Sequence, residues 1–315
     1  MSDGPKTMPA KPGLETQVDT NAPAMPTMQP DAAHPMPNVA PPDMPRYEFG
    51  SEIARGGMGR VVEATDTLLG RVVALKEALD TDGEALRRFQ REIRITARLE
   101  HPSIVPVHDA GHTRGGSPYY VMRKVSGRPL EKLVAAAETL GKRLALLPHV
   151  VAAAQAVAHA HSRGIIHRDI KPANILVGEF GETILIDWGL AKVIGEPDDP
   201  TAFVRAASER ADEDALRTRA GIVYGTPGFM SPEQLRGSSI DERVDVYALG
   251  ATLYHLLARR PPHHAKTADA MMKAAIAGPP PSLAQLVPGV PPELSTIVDK
   301  ALAHEVAVRY DNATA

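Results

Sequence analysis

The run GIIHRDIKPANILVGEFGETILIDWGLAK, from Gly164 to Lys192, constrains this chain more than any other part of it. Two short apolar runs, Ile175 to Val177 and Thr183 to Ile186, flank the turn-like segment GEFGE. Aliphatic and β-branched runs on either side of such a segment predict a hairpin. In a hairpin the start of the first strand lies beside the end of the second, so Asn174 and Asp187 are predicted neighbours. Both carry hard oxygen atoms, which suit Mg²⁺ better than a soft metal. Asp169 stands five residues before Asn174, on the loop entering the hairpin, and Lys171 follows two residues after it. A magnesium site, a second carboxylate and a lysine match the needs of phosphoryl transfer. The metal and the lysine offset phosphate charge, and the carboxylate orients a hydroxyl nucleophile.

These residues resemble the catalytic core of a protein kinase: HRDIKPAN, then DWG in place of the usual DFG. The resemblance runs from about Arg46 to Ala315. RGGMGRVVEATD and HRDIKPANIL are similar to the bacterial, eukaryotic-like (Hanks-type) serine/threonine kinases. It implies an α+β, bilobal fold, with a small β-rich N-lobe at about 46–122, a hinge at 123–125 and a mainly helical C-lobe at 126–315. It further implies that the last helix is cut short.

Composition sets outer bounds. The 315 residues suffice for one large domain or two lobes. Hydrophobic content of 43% and charged content of 23% are those of a globular protein. A net charge of −3 argues against nucleic acid as a partner. With no cysteine, disulfides, thiolate metal sites and cysteine nucleophiles are excluded. No run of about 18 apolar residues marks a membrane segment, and no signal peptide opens the chain, so a cytoplasmic location is expected. Residues 1–45 hold 11 of the 29 prolines, 6 of the 11 methionines and no aromatic residue, and are expected to be a disordered, proline-rich tail.

Strands are expected at Tyr47 to Ile53, around Val61 and Val62, and at Arg71 to Lys76, with Gly56, Gly57 and Gly59 forming a tight turn between the first two. The resemblance makes this turn the cover of a nucleotide, with Ala54 where the family's pattern begins with glycine. Lys76, ending VALK, is then the lysine that meets the α- and β-phosphates, and Glu92 its partner on a helix over Glu84 to Leu99. Further strands are expected at Ile104 to Val107 and Tyr119 to Met122. Met122 resembles the gatekeeper behind the adenine, with the Arg123 carbonyl and Val125 N–H as adenine contacts. The implied nucleotide site comprises Ile53, Ala54, Gly56, Gly57, Gly59, Val61, Ala74, Lys76, Glu92, Met122, Arg123, Val125, Asn174 and Asp187, with Asn174 and Asp187 on the metal.

In the C-terminal half, two helices are expected between Pro129 and Arg163, divided near Gly141 to Pro148. His159 and His161, two apart on a helix, face different ways and are expected to be packing or surface histidines. The resemblance sets His167 against Trp188, Arg168 toward a phosphorylated activation segment, and Thr218 as the regulatory phosphothreonine; Thr201 and Ser208 read as loop residues. It sets Thr226 on Asp169 and Lys171, Glu233 on Arg309, and Asp245 on the backbone of the catalytic loop. Asp241 to Ala258 is apolar nearly all round, as a central helix is. His263 and His264 are expected in an exposed loop, and helices at Ala265 to Ala277 and Pro291 to His304.

The implied activity is transfer of the γ-phosphate of ATP to Ser/Thr hydroxyls of proteins, with Mg²⁺, by Asp169 and Lys171 as the catalytic pair. Self-association for autophosphorylation is an implied partnership. Two other classes stay open: a non-catalytic binding module of the same fold, and a small-molecule phosphotransferase. Lys76, Glu92, Asp169, Asn174 and Asp187 are all present, against the first. GTPGFMSPE and Asp245 stand against the second.

Overall fold

The computed structural model describes residues 46–56, 59–79, 83–196 and 226–315, without the side chains of Glu84, Thr226 and Pro227. Gly57, Thr201, Ser208 and Thr218 lie outside the described residues. Strand β1 (Tyr47–Gly56) pairs antiparallel with β2 (Gly59–Asp66), and β2 with β3 (Arg71–Ala78). Strands β4 (Val107–His112) and β5 (Pro118–Arg123) complete a five-stranded sheet in the order β1-β2-β3-β5-β4. The two-residue alternation of a strand divides its side chains between two faces. Val73, Leu75 and Val121 join Tyr47, Val62 and Ala64 in one small core. Tyr120 and Ala78 turn to the other face and pack with Phe89 of helix α1 (Gly83–Thr96), where Ile93, Val107 and Met122 close the contact.

The expected strand over Ile104 to Val107 is not there. Ile104 makes one parallel bridge to Leu185 and is buried with Val105, so this apolar run is a buried connector. The strand begins at Val107 and continues through polar VHDAGH, half its positions exposed, because it is the edge of the sheet.

Beyond β5, β6 (Gly127–Pro129) leads into helix α2 (Leu130–Ala136). Three helices occupy the stretch where two are expected. The first break falls at residues 137–139, followed by a short α3 (Leu140–Leu144) with Thr139 as its N-cap, and then by α4 (Leu147–Ser162). Residues Leu140–Ser162 are together long and apolar enough to cross a membrane by length and composition. In this fold Val150, Ala153, Ala156, Val157 and Ala160 of α4 are buried in the helical core. A short β7 (Ile165–Ile166) pairs with β10 (Lys192–Val193), and β8 (Ile175–Gly178) and β9 (Thr183–Leu185) form the hairpin read from sequence, with Ile175 opposite Leu185.

Helix α5 (Pro232–Arg236) starts at a reciprocal cap between Ser231 and Gln234. Helix α6 (Arg243–Ala258) runs through the centre of the larger core, with twelve of its residues buried. It packs against α4 and against α9 (Pro292–Ala301). A Cβ on Gly250 would lie 2.7 Å from that of Ala301, so the glycine permits this approach. Helix α7 (Ala268–Ala277) starts three residues later than expected, and the short α8 (Leu283–Leu286) has no counterpart in the sequence reading. His263 is not exposed as expected. It is 6% exposed and bonds the Tyr247 hydroxyl at 3.2 Å.

His255 of α6 lies with its ring 5.7 Å from that of Phe229, and its Nδ1 is buried without a hydrogen-bond partner among the described residues. Burial pushes its pKa down to about 4. The unfolded chain binds this proton near pH 6.5, while the folded protein refuses it until about pH 4, so stability is lost as pH falls through that window. The shift corresponds to at most about 3 kcal/mol. Burial lowers His149, His167 and His263 as well, adding loss of the same sign. Urea melts at pH 7.5 and pH 5 are expected to lose less stability in His255→Gln than in the wild type. Equal losses would show that His255 takes up its proton while folded.

Candidate active site

The catalytic-loop geometry starts from one buried carboxylate. Asp245, in the first turn of α6, is fully buried. Its Oδ2 accepts the backbone N–H of His167 at 2.7 Å and His161 Nε2 at 2.9 Å, and its Oδ1 accepts the Arg168 N–H at 2.8 Å. Burial alone would raise its pKa, but the His161 bond and the facing donors hold it below the usual carboxylate range. His161 is buried, as the packing alternative expects, and it also has a polar partner. It braces Asp245 and accepts the Ala313 N–H through Nδ1 at 3.3 Å.

With two successive N–H groups bound to one carboxylate, Arg168 takes a left-handed backbone, φ 68°. Asp187 does the same at φ 65°. Non-glycine residues in this region are strained, and such strain gathers at functional sites. His167, one residue before Arg168, is fully buried, its ring 4.4 Å from that of Trp188. Its Nδ1 accepts the Asp169 N–H at 3.2 Å and its Nε2 faces the Ile186 carbonyl at 3.2 Å, an arrangement that fits only the neutral Nε2–H tautomer. Burial lowers its pKa accordingly.

Asp169 has no exposed side-chain surface. Lys171 Nζ donates to its Oδ1 at 3.2 Å and its Oδ2 at 3.1 Å. Asn174 Nδ2 donates to the Asp169 carbonyl at 2.8 Å and to its Oδ2 at 3.1 Å. Two acceptors facing one end of the amide fix its orientation and leave Asn174 Oδ1 as the oxygen not spent on Asp169. The Ile186 N–H donates to the Asn174 carbonyl at 2.9 Å, which ties the hairpin's two ends together beside Asp187.

Asn174 and Asp187 line a cavity of about 580 Å³. Around it stand Ile53, Ala54, Gly56, Gly59, Val61, Ala74, Lys76, Glu92, Met122, Arg123 and Val125. Each described residue of the implied nucleotide site is thus brought to one cavity. Gly59 must be glycine, since a Cβ there would lie 2.4 Å from the Glu77 carbonyl oxygen. Lys76 Nζ meets Glu92 Oε1 at 2.6 Å and Oε2 at 2.8 Å. The Tyr120 hydroxyl donates to Glu92 Oε1 at 2.8 Å, a contact no motif announced. At the hinge Arg123 is exposed, and Lys124 turns back onto Glu63 of β2.

The donor set fits Mg²⁺. Among the described residues no group of three His, Cys, Asp or Glu forms a protein cage. Mg²⁺ is commonly held by one or two protein oxygens with phosphates and water completing the shell. Asn174 Oδ1 and the Asp187 carboxylate supply such a pair.

On the far side of the catalytic loop, Gln234 Nε2 bonds the Arg168 carbonyl at 3.1 Å, and Arg168 Nε the Leu190 carbonyl at 2.5 Å. Glu233 receives Arg309 through two bonds, of 2.6 and 3.0 Å. The side chain of Thr226, expected on Asp169 and Lys171, lies outside the described residues.

The sequence matches the protein kinase domain family over residues 47–310. Among curated proteins it is similar to the probable serine/threonine-protein kinase SCO3848 of Streptomyces coelicolor, 35% identical over 274 residues that make up 85% of this chain and 38% of that protein. It is likewise similar to the DNA damage-responsive serine/threonine-protein kinase RqkA of Deinococcus radiodurans, 35% identical over 80% of this chain and 36% of that protein. The serine/threonine-protein kinase PknD of Chlamydia trachomatis is 37% identical over 85% of this chain and 30% of its own length. The chain therefore spans about a third of the length of these relatives. With this match and the fold described above, the chain belongs to the protein kinase family, among its bacterial, Hanks-type members.

Proposed function

We propose that this chain is a serine/threonine protein kinase that transfers the γ-phosphate of ATP to protein hydroxyls, its own activation segment included. Adenine lies between Ile53, Val61 and Ala74, with Met122 behind it, and bonds the backbone of the hinge at Arg123 and Val125. The glycine turn, Gly56, Gly57 and Gly59, with Ala54 at its start, covers the phosphates. Lys76, aligned by Glu92, holds the α- and β-phosphates. Asn174 and Asp187 hold Mg²⁺, which when bound neutralises charge on the phosphates. Asp169 accepts a hydrogen bond from the substrate hydroxyl and takes its proton as the new O–P bond forms and the bond to the leaving ADP breaks. Lys171 offsets charge on the transferred phosphoryl group. A phosphate on Thr218 would add about −1.5 to −2 charge to the activation segment, with Arg168 as the implied counter-charge. Transfer between two copies of the chain would account for that phosphate.

The observation that carries this reading is the closed Lys76–Glu92 pair in the same cavity as Asn174 and Asp187. A non-catalytic module has no need of that conjunction. The relatives' names support serine and threonine as acceptors. The test is mass spectrometry of the full chain and a general protein substrate after incubation with Mg-ATP. Phosphate is expected on both, with Thr218 modified. Lys76→Met is expected to lower the rate about 10²- to 10³-fold. Phosphate on choline or an aminoglycoside, and none on protein, would favour the small-molecule reading. ATP binding without any transfer would favour the binding module.

A further inference from the structure

Lys76 and Tyr120 are direct register partners on β3 and β5, so both project from the same face of the sheet. Helix α1 lies across that face, and its third turn carries Glu92 between them. One oxygen of Glu92 accepts from both groups, Lys76 Nζ at 2.6 Å and the Tyr120 hydroxyl at 2.8 Å. The phenol ring is clamped by Phe89, one turn earlier on α1, with ring centroids 5.7 Å apart. Glu92 is 2% exposed and Tyr120 4%, so water offers neither a ready substitute partner.

A lysine that holds nucleotide phosphates must divide its three N–H donors between phosphate and Glu92. Each donor given to phosphate is withdrawn from a buried carboxylate, and a buried carboxylate short of donors is costly. Tyr120 has no such second duty. Burial, and then the neighbouring Glu92, raise its pKa well above the ordinary phenol value, so it stays a neutral donor.

We infer that Tyr120 is a positioning residue for phosphoryl transfer: its hydroxyl holds the Glu92 carboxylate, and with it helix α1, in the inward place that aligns Lys76. Part of the alignment then belongs to the sheet itself and does not wait for the nucleotide. This rests on the roles proposed above for Lys76 and Glu92.

Tyr120→Phe keeps the ring and its contact with Phe89 and removes only the hydroxyl. Hydrogen exchange is measured first, on the full chain without nucleotide. Amides of α1 are expected to exchange several-fold faster in the variant, while those of β2 and α4 keep their wild-type rates. Unchanged exchange in α1 overturns the inference. This readout needs no activity, so it stands even if the kinase reading fails on a wild type that transfers nothing. Steady-state kinetics come second. Tyr120→Phe is expected to lower kcat about tenfold, with a smaller change in KM for ATP. In a Glu92→Gln background the same substitution is expected to cost less than about twofold, because its effect passes through Glu92. A wild-type kcat in Tyr120→Phe overturns the inference, and so do losses that multiply in full in the double variant.

Discussion

Asp169→Asn is expected to lower phosphoryl transfer about 10²- to 10⁴-fold while leaving the protein folded. The size of the effect follows from the two jobs one side chain holds. As a carboxylate it accepts from Lys171 at 3.1 and 3.2 Å and from Asn174 at 3.1 Å. As the proposed base it must also accept the substrate's proton. Asparagine matches its shape and keeps one acceptor oxygen, so the loop stays packed. Its nitrogen cannot take a proton at any working pH, and it turns a donor toward neighbours that are donors themselves. The surrounding frame does not depend on it: Asp245 holds His167 and Arg168 through the backbone, and Gln234 holds the Arg168 carbonyl. Rapid-quench transfer assays with ATP saturating, beside a urea melt, separate the two effects. A folded Asp169→Asn protein with undiminished transfer would falsify the role given to Asp169.

The site was legible in sequence wherever its geometry is local. Asp169, Lys171, Asn174 and Asp187 fall within one loop and one hairpin, and a hairpin's register is set by its own residues. Lys76 and Glu92 were legible through the family pattern, since their contact spans 16 residues across a strand and a helix. Residues whose partners are far away and follow no motif escaped. Tyr120 reads as one more aromatic in an apolar strand, and only the pairing of Lys76 with Tyr120 sets it beside Glu92. His161 reads as a packing or surface histidine, and its role appears only when Asp245, 84 residues on, comes beneath it. His263 looks like loop because its burial comes from Tyr247 on a different element. The error at β4 has another cause. An edge strand needs no hydrophobic pattern, since half its positions face water, whereas the apolar run before it is buried without being a strand.

The largest expected effect on stability lies away from the chemistry, at Arg309. Its guanidinium is fully buried and meets Glu233, 8% exposed, through paired bonds of 2.6 and 3.0 Å. It also bonds the Ala303 carbonyl at 2.7 Å and lies 4.9 Å above the Tyr247 ring. A pair this dry contributes little net energy over an apolar pair of the same volume, but removing one member strands the other's charge. Arg309→Met is therefore expected to cost about 3 to 5 kcal/mol, a large share of the roughly 5 to 15 kcal/mol that holds a typical domain folded. Glu233→Leu alone is expected to cost about as much. The double variant should recover most of the loss, since no charge is then left behind. Urea melts of the four proteins make a closed cycle. The signature is a coupling energy approaching the sum of the two single losses; single losses under about 1 kcal/mol would mean that the pair is solvated after all. The loss should also reach the site. Glu233 sits beside the Ser231–Gln234 cap, and Gln234 holds the Arg168 carbonyl one residue before Asp169. In Arg309→Met, protection of the Arg168 and Asp169 amides should therefore fall before that of β8 and β9.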